Sequence, residues 1–121
     1  MTINSKQIIC ALDFDDFLKA ENFIKAVDYD IVYKVGMEFF YRFGFDGIRK
    51  ISKLKKNIKL FLDLKLHDIP NTVERAIYPL VTNVRPYMLT LHVAGGKKML
   101  QNAVFAATEA SKNVNMQKPL I

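Results

Sequence analysis

The amino-acid sequence predicts an α/β fold in which a parallel β-sheet is flanked by helices. Apolar segments of strand length alternate four times with longer segments in which apolar residues recur every three or four positions. Such alternation is typical of strands joined by right-handed helical crossovers. Each predicted strand also carries a polar residue near its carboxyl end. With 121 residues, 50% of them apolar, the chain can bury one core, and nothing in it indicates a second domain.

The composition argues against several classes of function. The net charge is +6, but Lys and Arg are spread along the chain, without a zinc-finger spacing, an RNP-like strand or a long basic run. A solvated basic surface is therefore favoured over a nucleic-acid site. The single cysteine, Cys10, excludes a disulfide framework and is expected to be a small buried hydrophobe. The sequence has neither an apolar run of about 18 residues nor a signal-like start, so we expect a cytoplasmic protein without a membrane span.

The strands and the first two helices follow from local patterns. The predicted strands are residues 7–14, 31–36, 87–93 and the start of the stretch 59–70. Asp15 or Asp16 is placed to cap the first helix, because a carboxylate before an apolar helical stripe satisfies free N–H groups. The second helix begins at about Met37 and should be interrupted near Gly44–Gly47.

The second half of the chain repeats the pattern. Asn71 is the expected N-cap of a third helix, which Pro79 should kink or end early. Gly95 and Gly96 form a turn before a fourth helix over about residues 97–112. Its expected inward residues are Met99, Leu100, Ala103, Val104 and Ala107. The last four residues, 118–121, look like the opening of a fifth strand.

Two architectures compete for this pattern, an open doubly wound sheet and a (β/α)8 barrel. The acidic segment 13–16 follows the first strand where a dinucleotide fold has a glycine-rich turn, and it would repel a pyrophosphate. The polar residues at the strand ends are Asp13, Lys34, Asp63 with Lys65, and His92. Active sites of (β/α)8 barrels are built from these positions, so the barrel is favoured. Such a barrel needs about 250 residues, and we therefore expect residues 1–121 to be the amino-terminal half of one barrel domain.

The third strand carries the most informative charges. With period-two alternation, Asp63 and Lys65 share a face, and Asp68 approaches from the following loop. Charges inside a sheet core are costly unless they are paired, so these residues form either a structural ion pair or a catalytic cluster. Polar groups on four neighbouring strands favour the catalytic interpretation. His67 is interpreted as a loop residue that orders the turn, and His92 as a core histidine outside the site.

These motifs resemble those of the orotidine 5'-phosphate decarboxylase family. The matching segments are Ala-Leu-Asp at 11–13, Tyr-Lys-Val-Gly at 33–36, Asp-Leu-Lys-Leu-His-Asp-Ile-Pro-Asn-Thr at 63–72 and Leu-His-Val-Ala-Gly-Gly at 91–96. The resemblance implies a (β/α)8 barrel, usually a homodimer, that converts orotidine 5'-phosphate to uridine 5'-phosphate in de novo pyrimidine biosynthesis. It also implies that neither a metal nor an organic cofactor is used.

The resemblance assigns roles to individual residues. Lys65 would protonate the carbon that loses carbon dioxide, and Asp63 would lie against the departing carboxylate. Asp13 and Lys34 would hold the ribose hydroxyls. The charged tetrad would comprise Lys34, Asp63, Lys65 and Asp68, and the substrate-binding set Asp13, Lys34, Ile69 and Thr72. Asp68 and Thr72 would reach the site of the neighbouring subunit.

Two other functions compete with this assignment. A metal-dependent sugar-phosphate decarboxylase or aldolase of the same superfamily shares the Asp-x-Lys-x-x-Asp core, but such enzymes place a carboxylate where Lys34 stands, and a lysine suits a divalent cation poorly. A non-catalytic basic binding module would show salt-dependent binding to nucleic acid. We expect the 121-residue chain alone to be inactive, because the later strands that grip the substrate's phosphate are missing.

Overall fold

The computed structural model describes residues 2–121, in which strands and helices alternate as predicted. The elements are β1 (Ile9–Ala11), α1 (Phe17–Ala26), β2 (Val32–Gly36), α2 (Met37–Ser52), β3 (Lys59–Leu66), α3 (Pro70–Val84), β4 (Met88–Leu91) and α4 (Gly96–Asn113), with 3-10 turns at Ser5–Gln7 and Val93–Gly95. The strand order is β1-β2-β3-β4, and the β1/β2 and β2/β3 pairs are parallel. The chain divides into two compact units, the first ending at Asp63 and the second comprising Leu64–Ile121.

In the first unit, the start of the chain departs from the prediction of one strand over residues 7–14. The Asn4 side chain accepts the Lys6 N–H, and the Gln7 side chain accepts the Asn4 N–H. This reciprocal capping box draws Ser5–Gln7 into a 3-10 turn. β1 is therefore limited to Ile9–Ala11.

The start of α1 confirms one of the two predicted caps. Asp16 is the N-cap, and its carboxylate accepts the Leu18 N–H at 2.8 Å. Asp15 instead pairs with Lys19 one turn later, at 3.1 Å. The hydrogen bond and the positive charge of Lys19 lower the pKa of Asp15.

The predicted interruption of α2 is confirmed at Gly44. Its backbone has φ 58° and ψ −160°, a combination essentially restricted to glycine. The kink directly follows an aromatic cluster in the first unit. Phe43 stacks edge-on against Phe39 at 4.8 Å and against Phe17 at 5.6 Å between ring centroids.

In the second unit, α3 differs from the prediction at its first turn and in its length. Ile69 is the N-cap and Pro70 occupies the first helical position, because the fixed φ of proline suits the first turn. Asn71, the predicted cap, therefore lies inside the helix. Pro79 does not end the helix, which continues to Val84. One face of α3 remains buried across the proline, at Val73, Ile77, Leu80, Val81 and Val84.

In the fourth βα unit, the strand is shorter than predicted. The buried face of the helix also differs from the predicted one. The His92 ring accepts the Ala94 N–H, which starts the turn Val93–Gly95 and ends β4 at Leu91. A ridge of small residues with Met99 forms the buried face of α4, namely Met99, Ala103, Ala106, Ala107 and Ala110. Val104, expected inward, is 39% exposed because it lies off this ridge.

The predicted opening of a fifth strand is confirmed at Leu120. This residue forms a parallel bridge with Met88, and the Leu89 N–H donates to the Leu120 carbonyl at 2.8 Å. Within residues 2–121, none of the helices combines the length and the apolar character needed to cross a bilayer.

We predict that Gly44→Ala lowers the free energy of unfolding of the chain by about 1–3 kcal/mol, because a Cβ is strained at this φ and ψ. Gly36→Ala is the matched control. Its φ is −92°, and an added Cβ would meet its nearest neighbours at 3.7 Å and 3.8 Å, so we expect a loss below about 1 kcal/mol. Urea unfolding monitored by circular dichroism measures both. An equal loss in the two variants would contradict the assignment of the kink to Gly44.

Candidate functional site

An ion pair between Lys34 and Asp63 joins β2 and β3 in the first unit. The Lys34 ammonium donates to Oδ2 of Asp63 at 3.2 Å. Their side chains are 24% and 12% exposed, so neither charge is fully solvated. The strand register places Gly36 opposite Asp63, and Lys34 is two residues before Gly36, so all three face the same side of the sheet. The sequence suggested Lys65 as the partner of Asp63, whereas the ion pair seen here joins Asp63 to Lys34 on the neighbouring strand.

Asp13 joins this pair from the segment after β1. A Cβ added at Gly36 would lie 3.7 Å from Oδ1 of Asp13 and 3.8 Å from the Lys34 nitrogen. The carboxylate and the ammonium therefore both border the space above Gly36, which is itself buried. Glycine keeps this space open, because a larger residue would place a Cβ in contact with both charged groups.

The three side chains of the first unit form a site with defined chemistry, which we call the charged cluster (Asp13, Lys34 and Asp63). An ammonium donates hydrogen bonds, and a carboxylate accepts them. A ligand with vicinal hydroxyl groups would satisfy both at once. Because Asp63 is 8% exposed and paired, its charge is stabilised by Lys34 and not by water.

Lys65 belongs to the second unit and has an unusual backbone. Its φ is 50°, in the left-handed region that lysine rarely adopts, and its side chain is exposed. The Lys65 N–H donates to Oγ1 of Thr90 on β4 at 3.0 Å. Period-two alternation of the sequence predicts regular geometry through β3, and a left-handed residue breaks that regularity. The left-handed backbone at Lys65 therefore changes the direction that regular strand geometry would give its side chain.

The other predicted site residues lie on the loop after β3 and on the first turn of α3. Asp68 is exposed, and its carboxylate accepts the Ile69 N–H at 2.7 Å. Ile69 is 65% exposed, a large fraction for an apolar side chain. Thr72 is also exposed, and its N–H donates to the Ile69 carbonyl at 3.0 Å. These three side chains are therefore accessible on one short segment of the second unit.

The two histidines form a contact that sequence reasoning missed. The rings of His67 and His92 stack with their centroids 4.6 Å apart and their planes 17° apart. Both side chains are exposed, so the interpretation of His92 as a core histidine was wrong. The His92 ring caps the turn that follows β4, where its Nδ1 accepts the Ala94 N–H. The sequence placed His92 inside a predicted strand over residues 87–93, whereas in the structure each histidine directly follows a strand, His67 after β3 and His92 after β4.

A cavity of about 610 Å³ in the first unit lies away from the charged cluster. It is lined by residues that precede or begin β2 and β3, including Asp30, Lys55 and Lys59, and so opens at the amino ends of these strands. Lys59 pairs with Asp30 at 3.0 Å. Among residues 2–121, no three His, Cys, Asp or Glu side chains are grouped so that they could hold a metal ion.

Comparisons with known proteins agree with the motifs in the sequence. Residues 6–117 match a family model described as the orotidine 5'-phosphate decarboxylase / HUMPS family. The chain is 45% identical over 111 residues to orotidine 5'-phosphate decarboxylase of Carboxydothermus hydrogenoformans, an alignment that covers 89% of this chain and 44% of that protein. It is 43% identical over 99 residues to the protein of the same name from Wolbachia sp. subsp. Brugia malayi, covering 80% of this chain and 42% of that protein.

Solved structures show the same relationship. The crystal structure of orotidine 5'-phosphate decarboxylase from Lactobacillus acidophilus superimposes with a TM-score of 0.81 at 33% identity, covering 94% of this chain and 50% of that one. The chain thus spans about half the length of the relatives and structures that it matches. Its fold is that of a (β/α)8 barrel family, of which it supplies about the first four βα units.

We predict that Lys34 and Asp63 are energetically coupled. In a double-mutant cycle with Lys34→Met and Asp63→Asn, the coupling free energy should be about 1–3 kcal/mol, because each single change leaves a half-buried charge unpaired. Urea unfolding of the single and double variants gives the value.

The pair Lys59 and Asp30 supplies the control for this cycle. Its two residues are also 29 positions apart in the sequence, and their side chains are 29% and 50% exposed. We expect a coupling of only about 0.2–1 kcal/mol there, since solvent screens the charges. A coupling for Lys34 and Asp63 no larger than the control would refute the claim that burial strengthens their interaction.

Proposed function

Because the chain belongs to the orotidine 5'-phosphate decarboxylase / HUMPS family, we propose that the protein decarboxylates orotidine 5'-phosphate to uridine 5'-phosphate in de novo pyrimidine biosynthesis. The proposed activity requires the remaining half of the barrel, since the relatives with that name are about twice as long as this chain. The observation that carries the proposal is the Lys34–Asp63 ion pair beside Asp13, at motif positions of the family.

In this proposal the charged cluster positions the substrate. Asp13 accepts and Lys34 donates hydrogen bonds to the ribose hydroxyls, for which the open space above Gly36 gives room. Lys34 is held by Asp63, so its ammonium does not have to be ordered when the substrate binds. Preordering of this kind lowers the entropic cost of reaching the reactive geometry.

The chemical step is assigned to Lys65. The bond between the pyrimidine ring and its carboxylate breaks, carbon dioxide leaves, and the electron pair remains on the ring carbon. That carbanion takes a proton from the Lys65 ammonium, which is regenerated from solvent. A fixed ammonium also stabilises the negative charge as it develops, and stabilisation of this kind is usually the largest electrostatic contribution to catalysis. No metal or organic cofactor enters the proposed reaction.

The remaining residues complete the proposed site. Asp63 lies beside the departing carboxylate, and the repulsion between the two is relieved when neutral carbon dioxide forms. Asp68 and Thr72 reach the site of a second subunit in a homodimer, which fits their exposure together with Ile69 on the segment that opens α3. The proposed cellular location is the cytoplasm.

A metal-dependent sugar-phosphate decarboxylase or aldolase of the same superfamily is the second candidate, because it shares the Asp-x-Lys-x-x-Asp core found at residues 63–68. The two candidates differ at β2, where Lys34 would face the divalent cation that the second one requires. The Lys34–Asp63 contact occupies a carboxylate that a metal would need. Loss of activity on addition of a chelator would favour this candidate over the decarboxylase.

We predict that Lys65→Ala lowers kcat for orotidine 5'-phosphate by at least about 1,000-fold, since loss of a general acid alone costs about 100- to 10,000-fold. The assay uses a hybrid protein in which residues 1–121 replace the matching part of the Carboxydothermus hydrogenoformans relative. The decrease in substrate absorbance measures turnover. Retained turnover in the variant would refute the role of Lys65.

Two controls accompany this assay. Lys112→Ala removes an exposed lysine that pairs with Glu109 near the end of α4, and it should leave kcat unchanged within about twofold. The 121-residue chain without the added half should form no product above background. Product formation by that chain alone would show that the substrate's phosphate needs no later strands.

A further inference from the structure

The backbone of Lys65 is strained in a position where regular strand geometry was expected. Its φ of 50° lies near the end of β3, beside residues with ordinary extended geometry. A residue with a Cβ populates the left-handed conformation about five to thirty times less than its ordinary conformations. Asn and Asp tolerate this region better than Lys does. Strain at a functional position persists only where neighbouring groups hold it in place.

The neighbouring group is the hydroxyl of Thr90. Oγ1 of Thr90 accepts the Lys65 N–H at 3.0 Å, so a side chain takes a role that a backbone carbonyl has in a regular ladder. One residue later the pairing is again between backbone groups, since the His92 N–H donates to the Leu66 carbonyl at 3.0 Å. The contact therefore fixes the orientation of the peptide group that precedes the Lys65 side chain.

From this geometry we propose that Thr90 is a positioning residue, whose hydroxyl holds Lys65 in the left-handed conformation and so aims its ammonium. The proposal rests on the proposed function for the role of the ammonium, and on the structure alone for the backbone contact. The hydrogen bond to Thr90 favours the left-handed conformation of Lys65 by about the same factor as backbone strain disfavours it. The two effects therefore offset each other. Without the hydroxyl, the extended conformation of Lys65 competes and the ammonium is misdirected in most molecules.

The first test examines the 121-residue chain by NMR and needs no activity. In the unsubstituted chain the Lys65 amide should exchange slowly with solvent, and its Cα and Cβ shifts should report a positive φ. Thr90→Val keeps the shape and removes the acceptor, and it should speed exchange of that amide about tenfold. Thr90→Ser keeps the acceptor and should restore slow exchange. Thr108→Val is the matched control, since the Thr108 hydroxyl donates within α4, to the Val104 carbonyl.

The second test measures turnover in the hybrid protein. Thr90→Val should lower kcat about tenfold with KM nearly unchanged, because misdirecting a proton donor affects the chemical step and not ground-state binding. Thr90→Ser should recover kcat, whereas a purely structural role would make both substitutions harmful in proportion to lost packing. Thr108→Val should leave both parameters unchanged.

Several results would overturn the proposal. Rapid exchange of the Lys65 amide in the unsubstituted chain would overturn it, and this measurement does not depend on the folding of Thr90→Val. Equal effects of Val and Ser at position 90 also overturn it, because the hydroxyl would then be irrelevant. A hybrid protein that is inactive before any substitution, with the NMR results as expected, would refute the proposed reaction and leave the backbone role of Thr90 standing.

Discussion

The contact between Lys34 and Asp63 is the interaction on which the first unit depends. Asp63 follows a run of apolar residues in β3 and is 8% exposed, a degree of burial at which an unpaired carboxylate would be strongly destabilising. The 3.2 Å contact with Lys34 makes that burial tolerable. A pair of apolar residues would stabilise this position equally well or better, so stability alone does not account for two charges here. A requirement for charge at the ends of the strands does.

The same requirement for charge explains why a buried glycine lies beside the ion pair. Gly36 is buried although its backbone angles suit any residue, and the space that a Cβ would fill borders Asp13 and Lys34. Gly44 shows the opposite case, where the backbone itself demands glycine and nothing lies within 4 Å of an added Cβ. Gly36 and Gly44 thus serve different purposes, since the first leaves room for a ligand and the second allows a kink in α2.

Much of the fold could be predicted from the sequence because its signals are local. The cap at Asp16, the break at Gly44 and the four alternating strands each depend on a few adjacent residues. Predictions failed where two local signals competed or where a distant residue decided the outcome. Pro70 displaced the cap expected at Asn71, and α3 continued through Pro79 because its buried face spans the proline. The left-handed backbone of Lys65 involves Thr90, which is 25 residues away and could not be paired with it from the sequence.

The left-handed lysine has a consequence for efforts to make this protein more heat-resistant. Replacing a non-glycine residue of positive φ by glycine relieves the steric strain of its Cβ, and Lys65 is one of four such positions in residues 2–121. At Asn57, Arg85 and Asn115 the exchange would touch no residue of the candidate site. At Lys65 it would relieve strain and delete the ammonium together. A variant selected only for its melting temperature would thus improve as a scaffold while losing the group assigned to the chemistry.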